Sequence, residues 1–188
     1  MNRGGAMVAL GAVAVGVVVV GLAATSPSGQ QAVREVAGRV GRLFTLAELT
    51  VSSAAKRLGL DNTPTPDAEQ ALQFLATYVL DPLRQALGPR MRVTSGYRSP
   101  AVNEAVDGSA TSQHMKGEAV DLVVDGIASD RVAALIVKSG IPFDQLIWYA
   151  PERGGHVHVS LSAKRANRGQ VLHAPAAGGY VASAVGRV

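Results

Sequence analysis

The hydrophobic pattern changes character along the chain. Residues 6–24 are 19 consecutive positions without a charged side chain, with Val17, Val18, Val19 and Val20 in a row. At about 1.5 Å per residue, a helix of that length just crosses a hydrocarbon core. Residues 1–29 are therefore expected to be a transmembrane anchor, an N-terminal hydrophobic helix. The competing expectation is a cleaved export signal, because Arg3 precedes the run and Leu22-Ala23-Ala24 closes it. Arg34, Arg39 and Arg42 follow within about 20 residues and oppose the outward orientation by the inside-positive count.

From there to residue 87 the apolar positions fall at three- and four-residue steps, the helical period. Val33, Val36, Ala37 and Val40 place a helix over 30–43, read as a stalk because bulky core residues are lacking before Leu43. Thr45 or Thr50 can cap short helices, and 51–58 reads as a helix ended by Gly59. After the turn at 62–66, Asp67 is the expected cap of a helix over 68–87, which Pro82 kinks or splits.

Beyond Gly88 the period drops to two. Strands are expected over 91–95, 118–124, 146–149 and 157–161, with a helix over 129–139 and a loop-rich stretch over 96–111. Helices precede strands, without βαβ spacing. That predicts an α+β domain with a small, mostly antiparallel sheet and flanking helices. The organisation expected is 1–29 anchor or signal, 30–43 stalk, 44–163 core domain and 164–188 tail.

Charge adds a boundary rather than a partner. The net charge is +4 over 188 residues, yet residues 1–163 balance 14 basic against 14 acidic side chains. The excess is Lys164, Arg165, Arg168 and Arg187, in a Gly/Ala-rich tail that fits disorder or contact with anionic polymers or lipid. Nucleic acid is not an expected partner. Cysteine is absent, so disulfides, thiolate zinc sites and a cysteine nucleophile are excluded.

The candidate chemistry lies in two short segments. The first runs Ser112-Gln113-His114-Met115-Lys116-Gly117-Glu118-Ala119-Val120-Asp121, and the second is His156-Val157-His158. Alternation on the first strand puts Ala119, Asp121 and Val123 on one face. On the second, His156, His158 and Ser160 share a face. If the strands pair, two imidazoles and a carboxylate converge. That donor set suits zinc with a fourth position left to water, a centre that polarises a carbonyl and acidifies the water. No serine sits in a nucleophile elbow, and no glycine-rich phosphate motif follows a strand. Asp144 is expected to fix its loop, or else to orient a zinc histidine. His173 is expected to face solvent.

These residues carry a resemblance. The chain is similar to the zinc D-alanyl-D-alanine carboxypeptidases of the M15 peptidase family, most of all the small branch found in phages and bacteria. The family pattern Ser-x-His-x-x-Gly-x-Ala-x-Asp is matched at Ser112, His114, Gly117, Ala119 and Asp121. The later zinc histidine is matched by His158, and the Ser-Gly-Tyr-Arg-Ser segment by Ser95 to Ser99. Similarity extends through Phe44-Thr45-Leu46-Ala47-Glu48-Leu49, Asp61-Asn62-Thr63-Pro64, Leu80-Asp81-Pro82-Leu83-Arg84 and Phe143-Asp144-Gln145-Leu146-Ile147.

The resemblance implies the zinc fold shared by DD-peptidases and hedgehog proteins, Zn2+ on His114, Asp121 and His158, and peptidoglycan stem peptides as substrate. It implies a domain facing the cell wall, membrane-anchored through residues 6–24 or exported. Arg98 is expected to hold the scissile carbonyl oxygen or the substrate carboxylate. Arg92 and Lys116 are other cations for a terminal carboxylate. Several branches carry the general base three residues before the last zinc histidine, where this chain has Gly155. Glu152 and His156 are the alternative bases. The scissile bond is D-Ala-D-Ala, L-Ala-D-Glu or a crossbridge. The departure at Gly155 keeps a second class open, a non-catalytic wall-binding or structural module on the same fold.

Overall fold

The computed structural model describes residues 40–185. The expected anchor or signal over 1–29 and most of the expected stalk lie outside the described residues.

The helical half is built from strong local caps. Thr45 caps α1 (Leu46–Leu49) in a reciprocal capping box with Glu48. Ser52 caps α2 (Ser53–Leu58), and Gly59 at φ +63° closes it. Thr65, not Asp67, caps α3 (Pro66–Leu75). Its hydroxyl accepts from the Ala68 amide, Pro66 opens the helix, and Asp67 falls in the first turn, where its charge favours the dipole. Pro82 does not split the helical path. A π turn, Ala76–Leu80, leads into α4 (Asp81–Leu87), and the wider turn accommodates a residue with no N–H to donate. Asp81 accepts from the Arg42 and Leu43 amides at 2.6 and 2.9 Å and stitches the entering chain to α4. Val40 and Phe44 are buried in the core, so the last residues of the expected stalk belong to the domain.

The strands appear close to where alternation predicts them: β1 (Met91–Ser95), β2 (Ala119–Val124), β3 (Gln145–Tyr149) and β4 (Val157–Ser160). Within the expected loop lies α5 (Pro100–Ala105), capped by Ser99. Helix α6 (Ser129–Lys138) packs on β2, β3 and β4. The tail is not without structure. It supplies β5 (Gln170–Ala174) and β6 (Val181–Ala182), which extend the sheet to six strands in the order β1-β2-β4-β3-β5-β6. The β3–β5 pair is parallel and the others are antiparallel, so the sheet is mixed.

The sheet's two faces divide the labour. Val120, Leu122, Leu146, Val157 and Val159 point to one face and are fully buried with Leu72, Leu75, Val79, Leu83 and Ile136 in a single cluster. Each such side chain contributes about 1.5–3 kcal/mol on burial. The opposite face carries the row Ser95, Asp121, His158, Ile147 and Leu172, aligned strand to strand by the register. Core and chemistry thus lie on opposite sides of the same strands.

One set of expectations is corrected here. Among the described residues, no helix is long and apolar enough to cross a membrane. The longest helical path, 66–87, carries Asp67, Glu69, Asp81 and Arg84 and packs one face into the core. A spanning helix needs about 20 predominantly apolar residues. The transmembrane assignment, the membrane as a partner through residues 6–24 and the membrane-anchored location are therefore set aside. Residues 6–24 themselves lie outside the described residues.

Candidate metal centre

Three loops and two strands bring the site together. β1 ends in an irregularity between Val93 and Ser95, where the register shifts by one residue. The chain then enters Gly96, whose carbonyl accepts from His114 Nδ1 at 2.7 Å. His114 sits on the 3-10 turn Gln113–Lys116, closed by Gly117 at φ +71°. Its own carbonyl accepts from the Arg98 amide at 3.2 Å. The 95–99 and 112–117 segments therefore hold each other in place. Asn62 clamps the same loop: its amide donates to the Thr50 and Tyr97 carbonyls, and its oxygen accepts from the Ser99 amide.

Asp121 and His158 meet because β2 and β4 pair in the register Asp121↔His158. Their donor atoms converge with that of His114. Asp121 Oδ1 lies 3.0 Å from His158 Nδ1 and 3.3 Å from His114 Nε2, and the two nitrogens are 3.2 Å apart. Tetrahedral ligands on bonds of about 2.0–2.1 Å are spaced about 3.3 Å apart. The donor triangle thus has the size of one face of a zinc tetrahedron.

The protonation states fit as well. The His114 Nδ1 hydrogen bond to a carbonyl fixes the proton there and leaves the Nε2 lone pair for a metal. Burial pushes His158 below its ordinary value, which favours the neutral imidazole that a metal binds. Burial works to raise Asp121, but His114 and His158 outweigh it and hold its carboxyl well below the usual range. Asp121 Oδ2 is occupied by Arg98 Nη2 at 2.8 Å, which leaves Oδ1 for the centre. All three groups are buried. His114, Asp121 and His158 form a buried metal site suited to Zn2+.

The family model for peptidase M15 matches residues 42–160, well over half of the chain. The chain belongs to the M15 peptidase family. No curated protein matches it. Family and triad together make this M15 peptidase a zinc metallopeptidase.

The other residues singled out in the sequence of this M15 peptidase are placed as follows. Arg98 lines the cleft beside the triad, tied to Asp121 and, through Nε, to Ser95 Oγ at 3.0 Å. His156 is half-buried and stacks on Tyr149, with ring centroids 4.0 Å apart. Burial pulls its pKa down, and the charges of Asp121, His158 and Arg98 act on it. Glu152 is exposed on the 3-10 turn Pro151–Arg153; neither it nor His156 lines the cleft itself, but His156 packs on Tyr149, which does. Arg92 pairs with Asp125 on the surface at 2.9 Å. Lys116 lines the cleft. His173 does not face solvent freely: it lies on β5, stacked on Trp148 at 3.5 Å between centroids.

Asp144 does not orient a zinc histidine. It is fully buried and accepts from Arg165, Arg168 and Gln113. Burial would raise its pKa, but Arg165 and then Arg168 hold it far below the usual range. A depressed carboxylate stabilises the fold above its unfolded pKa, and that contribution fades as the pH falls toward the folded value. Asp144→Asn is therefore expected to cost about 2 kcal/mol at pH 7. The gap from wild type should narrow below about pH 4. Urea unfolding at pH 7 and pH 3 checks this, and an equal gap at both would contradict it.

Composition hid several cleft residues. Arg165, Arg168, Leu172 and Tyr180 line the cleft from the segment expected to be a tail, and Tyr149 lines it from β3. The strand pattern Gln170-Val171-Leu172-His173-Ala174 was the available signal for β5. Tyr180 had none.

Proposed function

We propose that this M15 peptidase hydrolyses peptidoglycan stem peptides, and that it acts as a D-alanyl-D-alanine carboxypeptidase. The observation that carries the reading is the convergence of His114, Asp121 and His158 on one wall of a cleft of about 710 Å³, open along one side. A volume of that order holds a short peptide. The resemblance of the 112–121 and 156–158 motifs to the D-alanyl-D-alanine carboxypeptidases supports the choice of bond. The catalytic unit is taken to begin near residue 40, where Val40 enters the core.

Zinc, when bound, supplies Lewis acidity toward a peptide carbonyl and a water acidified for attack. The chain supplies the rest. Arg98 Nη2 and Nε are committed to Asp121 and Ser95, while Nη1 makes no hydrogen bond among the described residues. Arg98 thereby fixes the carboxylate and keeps one amino group for the carbonyl oxygen as charge develops there. His156 is the base this geometry favours over Glu152. It lies one residue before β4 and two before His158, against Tyr149 of the cleft wall, and burial pulls its pKa down, which favours the neutral imidazole that takes a proton and returns it to the leaving amine. Burial also pushes the Tyr149 hydroxyl up, so it stays a donor, 3.3 Å from the Tyr180 hydroxyl.

Two measurements test this. Zinc-loaded protein is expected to release D-alanine from an acyl-D-alanyl-D-alanine peptide, and failure to cleave any stem peptide would overturn the substrate. His156→Ala should lower kcat by about 100-fold or more. Glu152→Ala should stay within about threefold, since surface changes are usually small. The reverse order would return the role to Glu152.

A further inference from the structure

Arg165 and Arg168 lie beyond residues 42–160, the part of the chain that matches the family, and they line the cleft. The parallel pairing of β5 with β3 carries their segment to the cleft's edge. Four basic side chains line this cleft, Arg98, Lys116, Arg165 and Arg168, against two acidic ones, Asp107 and Asp121. Asp121 is committed to the metal and to Arg98.

The two tail arginines are not equivalent. Arg165 is held between two buried carboxylates, 2.6 Å from Asp144 and 3.7 Å from Glu118, so its charge is balanced within the fold. Arg168 is half exposed. Its Nε and Nη2 grip Asp144 at 3.1 and 2.5 Å, and its amide donates to the same carboxylate at 3.0 Å. Its Nη1 makes no hydrogen bond among the described residues. Gln113, next to the zinc ligand His114, bridges to the same Asp144 at 3.1 Å. A guanidinium fixed on one side by a buried anion and open on the other loses little rotamer freedom when it takes a ligand. Leu172 and Tyr180 supply apolar surface in the same cleft.

We propose that Arg168, positioned by Asp144, binds a carboxylate of the peptide substrate close to the scissile bond. This deepens the peptidase reading above and rests on it. A planar fork favours carboxylate geometry, and a charge-assisted bond of this kind discriminates acid from amide by about ten- to a hundredfold. The carboxylate is either the peptide's own terminus or an acidic side chain next to the cleaved bond.

The test compares three peptides on zinc-loaded protein: acyl-D-alanyl-D-alanine as the free acid, the same peptide as the terminal amide, and a terminal amide carrying a side-chain carboxylate one residue before the cleaved bond. Wild type should prefer the acid over the amide by about ten- to a hundredfold in kcat/KM, mostly through KM. Arg168→Gln should close that gap, and Arg168→Lys should restore part of it. If the preference appears only in the third peptide, the carboxylate is the side chain. Equal rates on all three in wild type, or a preference that persists in Arg168→Gln, would overturn the proposal. Binding of N-acetyl-D-alanine, followed by NMR titration, is the readout independent of turnover. If no peptide is cleaved while this ligand binds about tenfold or more weakly to Arg168→Gln, the substrate reading falls and the subsite stands. If peptides are cleaved and Arg168→Gln changes neither binding nor preference, the subsite falls and the substrate reading stands.

Discussion

Asp121→Ala is expected to strip zinc from the protein and lower peptidase turnover by more than about a thousandfold. Losing a partner that merely supports a metal ligand already costs about 10–100-fold in affinity or activity. Asp121 is a ligand itself and also the anion that three buried or half-buried groups share: His114, His158 and Arg98. Removing it leaves the Arg98 guanidinium, on the wall of the open cleft, without its carboxylate, a defect of about 1–3 kcal/mol. Two effects should therefore be seen together, zinc content near zero after gel filtration and a fall in Tm even for metal-free protein. An Asp121→Ala variant that keeps one zinc per chain would remove the triad as the metal centre.

Gly96→Ala is expected to destabilise the protein by about 3 kcal/mol or more. A Cβ there would lie 1.9 Å from the Leu49 carbonyl oxygen and 2.6 Å from its carbon. Backbone cannot rotate away as a side chain can, and the Tyr97 amide is bonded to that same oxygen at 2.7 Å. The loop must move, and with it the Gly96 carbonyl that fixes His114 Nδ1. Tm should fall by roughly 6–12 °C, and zinc should bind more weakly. Gly117→Ala combines a contact of 2.2 Å with the Ala68 carbonyl and a φ of +71°. Gly126→Ala is the control. Its φ is +80° but nothing lies within 4 Å, so it carries conformational strain alone, about 1 kcal/mol. Equal effects at Gly96 and Gly126 would refute the crowding argument, and thermal unfolding separates the two.

Much of the site was legible because its geometry is local. The 112–121 motif holds a turn, a glycine with positive φ and a strand entry within ten residues, so the approach of His114 to Asp121 is written in one segment. Alternation likewise put His158 on the face that meets Asp121, whereas His156 precedes β4, which begins at Val157. Arg98 was legible as a site residue, but its bond to Asp121 was not, since it depends on the irregular end of β1. Capping was readable to within a residue or two: Thr65 displaced Asp67 because Pro66 fits the first helical position. The tail was misread because its Gly- and Ala-rich composition resembles disorder. Its order comes instead from main-chain pairing with β3, to which composition is nearly blind.

By itself, the sequence determined the donor set, the absence of thiolate chemistry, the positions of the first four strands and the family. Only the tertiary structure decided which groups share the cleft. Strand period is a property of a few consecutive residues, whereas the order β1-β2-β4-β3-β5-β6 depends on contacts between segments far apart in the chain. That order pairs Asp121 with His158, leaves Glu152 outside the cleft, and carries Arg168 from beyond the family-matched region to its edge.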